Sequence, residues 1–162
     1  MKQLAILAAI TMALLLAYVL ADSSISQKYV FDYNDMTENI EKYVVSDDKF
    51  GGGMACVMMA QVFSKETLNA FKSKDEGFEF FQSEATTPTT IEVFKDKIVW
   101  DDLGHESKIN DNMISLPLFN GEAFFKLELI KNEENINFKN IPEGEEASCL
   151  FPFKKVAPSG TE

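Results

Sequence analysis

The stretch AFFKLELIKNEENINFKNI, residues 123–141, constrains the fold more tightly than any other in the chain. Phe125, Leu127 and Leu129 fall on one side, with Lys126, Glu128 and Ile130 on the other, which is the period of 2 expected of a half-buried strand. Asn132-Glu133-Glu134-Asn135 reads as a turn, and INFKNI resumes the alternation, so the segment predicts an antiparallel hairpin. A lone hairpin is marginal in water, so further strands must pair with it.

Candidates for those strands run along the chain. KYVFDY (28–33) reads as a short strand, and MTENIEKYVV (36–45) as either a strand or a short helix that aligns Met36, Ile40, Tyr43 and Val44. Gly51-Gly52-Gly53 is the sharpest punctuation. After it we expect core strands in MACVMMAQVF (54–63) and GFEFFQ (77–82). TTIEVFKDKIVW (89–100) reads as two strands about a Lys-Asp-Lys turn. SKETLNAFKS (64–73) fits a serine-capped helix as well as a strand, and we read a strand. MISLPLF holds a central proline and is expected at an edge, and ASCLFPFKKV closes the body. Many short strands with few helical stretches predict an all-β sandwich or barrel.

The opening MKQLAILAAITMALLLAYVLA is one lysine followed by an apolar run that ends in Val19-Leu20-Ala21. It reads as a secretory signal cut before Asp22, with an uncleaved anchor as the alternative. The expected organisation is a signal peptide at 1–21, an N-terminal extension at 22–50, a β-sandwich domain at 51–156 and a frayed tail at 157–162. Removing Lys2 leaves 15 − 1 = 14 basic against 26 acidic residues, a formal charge of 14 − 26 = −12. Every basic residue is a lysine. That field argues against nucleic acid and anionic membrane surfaces as partners, and no membrane insertion is expected once the signal is removed. Cys56 and Cys149 are the only cysteines, and in an oxidising compartment they are expected to form a disulfide. No cofactor is implied.

IVWDDLGHES, residues 98–107, holds the only tryptophan and the only histidine. Trp100 is suited to stack on the apolar face of a sugar ring, or else to cover a sheet as core. Glu106 can accept hydrogen bonds from sugar hydroxyls or stand as a solvated charge. Asp101, Asp102, His105 and Glu106 have the chemistry of a metal site but match no known loop spacing, and Asp32, Asn34, Asp35 and Glu38 lack the glycine and spacing of an EF-hand. No metal site is therefore expected. A single histidine with no G-x-S-x-G elbow, cysteine signature or phosphate loop argues for a non-enzyme.

From Gly52 to Lys154 the order of these segments resembles a galectin domain. MACVMMAQVFSKETLNAFKSKDEGFEFFQ is similar to the family's opening strands, and IVWDDLGHES to its tryptophan strand and acidic loop. SLPLFNGEAFFKLELIKNEENINFKN is similar to its best-preserved run. The resemblance implies a jelly-roll β-sandwich and a galactoside-binding face, with Trp100, Glu106, Glu79, Ser83 and Lys108 as carbohydrate-binding candidates. The family's His, Asn and Arg triplet is here Glu79, Phe81 and Ser83, which puts ordinary galactoside specificity in doubt. The expected function is a secreted, non-enzymatic galectin-like domain whose partner is a glycan or glycoprotein. A secreted carrier of an apolar ligand, supported by the phenylalanine load, and an extracellular interaction module are the alternatives.

Overall fold

A computed structural model describes residues 26–45, 49–70, 87–118, 123–142 and 147–157. The expected signal segment, 1–21, and the expected strand GFEFFQ lie outside them. Among these described residues, eight strands form one antiparallel sheet: β1 (Gln27–Phe31), β2 (Thr90–Val93), β3 (Lys97–Trp100), β4 (His105–Lys108), β5 (Met113–Leu118), β6 (Ala123–Lys131), β7 (Asn135–Asn140) and β8 (Leu150–Lys155). Between β1 and β2 run α1 (Tyr33–Glu38), α2 (Ile40–Tyr43), α3 (Lys49–Ala60), a 3-10 turn (Gln61–Phe63) and α4 (Lys65–Ala70).

The strand order β4-β3-β2-β1-β8-β7-β6-β5 is a meander in which β1 and β8 pair, so only the seam between β4 and β5 is left open. The all-β class is as expected. The eight strands form one nearly closed sheet with none of the Greek-key crossovers of a jelly roll. β1, read from sequence as part of an extension ahead of the domain, sits in the middle of that sheet. The β6–β7 hairpin forms as predicted, with Leu127 and Leu129 buried and Lys126 exposed. Pro117 lies on β5, an edge strand, as expected.

Two expected strands are helices instead. MACVMMAQVF forms most of α3 and the 3-10 turn. Its buried positions, Cys56, Ala60 and Phe63, recur every three to four residues, which is a helical period hidden inside an unbroken apolar run. The glycine triplet lies within α3 rather than before it. SKETLNAFKS contributes α4: the Thr67 amide donates to Ser64 Oγ at 3.2 Å, an N-cap that satisfies a free first-turn donor, and Leu68 is buried.

The helical segment is pinned to the sheet by a disulfide between Cys56 on α3 and Cys149 ahead of β8, with Cα atoms 5.5 Å apart. At a separation of 93 residues, such a crosslink restricts the unfolded chain by roughly 4–5 kcal/mol in chain-entropy terms. Phe63 then enters the barrel. Its ring lies 4.9 Å from Phe151, 5.3 Å from Phe31, 5.4 Å from Phe153, 6.1 Å from Trp100 and 6.4 Å from Phe138. Rings from β1, β3, β7 and β8 thus enclose one side chain from the helical segment, and all six are buried. Thr89 N–H donates to the Phe63 carbonyl at 2.9 Å, fixing the turn to the chain entering β2.

Candidate functional site

The segment IVWDDLGHES turns out to hold the barrel together. Alternation along β3 puts Trp100 on the same inward face as Ile98, and both are 0 % exposed. The indole N–H donates to Ser107 Oγ at 3.1 Å, and that hydroxyl donates to the Ser115 carbonyl at 3.0 Å. Ser107 is on β4 and Ser115 on β5, so this relay crosses the open seam. With Phe63 and Phe138 against it, the indole has no face left for a sugar. The stacking role expected of Trp100 is therefore corrected to a core role.

The acidic residues around it have structural partners. Asp101 lies 3.8 Å from Lys28, and Asp102 accepts from Thr89 Oγ1 at 2.8 Å with Lys65 at 3.7 Å. Gly104 takes φ 59°, a left-handed conformation that favours glycine, in the tight turn from β3 to β4. Glu106 is exposed on β4 and pairs with Lys97 at 2.8 Å. Lys108 is exposed on the same face, while Glu79 and Ser83 lie outside the described residues. Of the three carbohydrate candidates among the described residues, Trp100 is buried in the core while Glu106 and Lys108 stand exposed on β4. Among the described residues no group of three or more His, Cys, Asp or Glu is placed to hold a metal ion, and no helix is long and apolar enough to cross a membrane.

A better-formed site lies on the outside of the barrel. A cleft of about 220 Å³ opens where the α1–α2 segment meets the outer face of β7 and β8. Asp32, Asp35 and Tyr43 form one wall, and Asn132, Asn135 and Asn137 the other. Pro152 and Phe153 line it between them, with Lys154 beside Asp32. Register builds the second wall. On β7, Ile136 and Phe138 point into the barrel, so Asn135 and Asn137 point out, opposite Lys154 and Pro152. Chain entry builds the first, because Asp32 N–H donates to the Pro152 carbonyl at 2.9 Å and holds the start of α1 against β8.

The two walls differ in their freedom. Asp35 accepts from the Tyr43 hydroxyl and from Asn39 Nδ2 at 2.8 Å. Asp32 accepts from the Asp35 amide at 3.3 Å and pairs with Lys154 at 3.1 Å. Burial raises the Tyr43 pKa above its ordinary 10.0, and the hydrogen bond and charge of Asp35, with the charge of Asp32, push it further the same way. The hydroxyl thus stays a donor, and the carboxylates are held in place. Across the cleft, the carboxamides of Asn132, Asn135 and Asn137 make no side-chain hydrogen bond to another described residue. Each offers a free donor and acceptor.

Nothing in the sequence alone draws these residues together. Asp32 and Asp35 read there only as a failed EF-hand, and Asn132 and Asn135 only as turn residues. The available signal is the alternation N-I-N-F, which puts Asn135 and Asn137 on the solvent face of the hairpin's second strand, whose other neighbour, β8, nothing local identifies. No family model, curated protein or solved structure matches the chain.

Proposed function

We propose that the protein is a secreted, non-enzymatic carbohydrate-binding domain that takes a polyhydroxylated ligand in the cleft between the α1–α2 segment and β7–β8. The observation that carries this reading is the pairing of three carboxamides, without side-chain hydrogen bonds among the described residues, with two fixed carboxylates around Pro152. Sugar hydroxyls donate and accept at once, which suits carboxamides, and their C–H faces suit an apolar floor. The ligand class is the one the galectin resemblance implies, but the residues are not those of that family's sugar face. Secretion rests on the leader-like opening and on a disulfide of the kind that persists in oxidising compartments. The carrier alternative has less support, because Phe63 and its neighbouring rings occupy the barrel interior.

The test is a glycan array with the oxidised protein, followed by calorimetric titration of any sugar retained. Replacing Asn135 and Asn137 together with alanine removes two uncharged hydrogen-bonding partners and should weaken binding by about tenfold. Glu106→Gln, on β4, should leave binding unchanged. Silence across the array defeats the proposal, and so does binding that ignores the two asparagines.

A further inference from the structure

We infer that this cleft selects sugars by charge, accepting neutral and amine-bearing rings and turning away anionic ones such as uronates. The inference rests on the carbohydrate reading and follows from where the charges sit. Asp32 and Asp35 line one wall, and Lys154 is the only cation among the lining residues. Lys154 lies 3.1 Å from Asp32, whose side chain is only 19 % exposed, whereas that of the lysine is 55 % exposed. A ligand carboxylate that drew Lys154 away would leave Asp32 half-buried without its counter-charge.

Asp35 adds to the bias. Its two oxygens accept from Tyr43 and Asn39, which fix the group without neutralising it. Each oxygen retains acceptor capacity for a hydroxyl or an ammonium. Asn132 and Asn135 also bracket Glu133 and Glu134, two exposed carboxylates that outnumber the neighbouring Lys131. The carboxamides are uncharged, so they provide hydrogen bonds to any ring but no compensation for a ligand's negative charge.

The experiment titrates the oxidised full chain with galactose, galactosamine and galacturonate, then with glucose, glucosamine and glucuronate, at low and high ionic strength. Both amines are kept protonated. The expected order within a set is amine, neutral, acid, with at least about a tenfold spread at low salt that shrinks at high salt as screening grows. Asp35→Asn, checked for an intact thermal transition, should narrow the spread. Lys154→Met should widen it. An acid that binds as tightly as its neutral parent overturns the charge selection and leaves the carbohydrate reading standing. Absence of saturable binding by all six sugars overturns this inference, and the glycan array then decides the carbohydrate reading separately.

Discussion

Ser107 joins the two free edges of the sheet through a single hydroxyl, accepting from the Trp100 indole and donating to the Ser115 carbonyl. Ser107→Ala leaves a buried N–H without its acceptor, which costs about 1–3 kcal/mol. The denaturant midpoint should fall accordingly. Native tryptophan emission should be blue-shifted and resistant to a soluble quencher in the parent protein, and less so in the variant. Emission open to quencher in the folded parent would contradict the core placement of Trp100. That placement was legible in the chain, because Trp100 shares parity with the apolar Ile98 on one strand. The polar neighbours Asp101, Asp102 and His105 obscure it, since they suggest a solvent face where the structure has a tight turn and the start of β4.

At the scale of elements, the 3-10 turn matters most, since it delivers Phe63 into the ring of aromatic side chains. Phe63→Ala should cost about 3–5 kcal/mol, because a ring contacted from several strands leaves a cavity they cannot easily close. Phe63→Leu should cost less. Equilibrium unfolding distinguishes the two, and a loss under about 1 kcal/mol for the alanine variant would show that the barrel does not depend on this plug. The element types were legible where one face meets water, as in the β6–β7 hairpin. They failed where both faces are apolar: Met54 and Met58 are 66 % and 47 % exposed, so α3 has no polar stripe to reveal its period. In α4 the cap at Ser64 was visible, but the choice between helix and strand needed the tertiary partner of Leu68.

For the molecule as a whole, burial raises the pKa values of Tyr29 and Tyr43, while hydrogen bonds outweigh burial and lower that of Glu66, so these described groups contribute to the pH dependence of stability from opposite sides. Tyr43 is neutral in the fold with its pKa raised above 10.0, so its contribution is fully present below that unfolded value and declines as pH rises towards the folded one. Glu66 is the opposite case. Burial alone would raise its pKa, but hydrogen bonds from Thr87 and its own backbone, with Lys65 nearby, hold it below 4.5. Its contribution is present above the unfolded value and is lost as pH falls through the folded one. Melting temperature against pH should therefore show a plateau with an acid and an alkaline limb. Tyr43→Phe should flatten the alkaline limb and Glu66→Gln the acid one, and limbs unchanged by these substitutions would refute the assignments. The all-β class was legible at this scale because alternation recurs along the chain. The strand order was not, because nothing local indicates that β1 pairs with β8.

The pairing of β1 with β8 also sets a schedule. Phe31 meets Phe153 across 153 − 31 = 122 residues of chain. At ribosomal rates of about 5–20 residues per second, roughly 6–24 s pass between synthesis of the two positions. Through that interval β1 has neither its β8 edge nor the Cys56–Cys149 bond, while α1 to α3, whose contacts are local, are free to form. The newborn chain would then carry β1 with one edge open even after β2 has paired with the other, and any chaperone it uses would have its period of need set by translation speed rather than by stability.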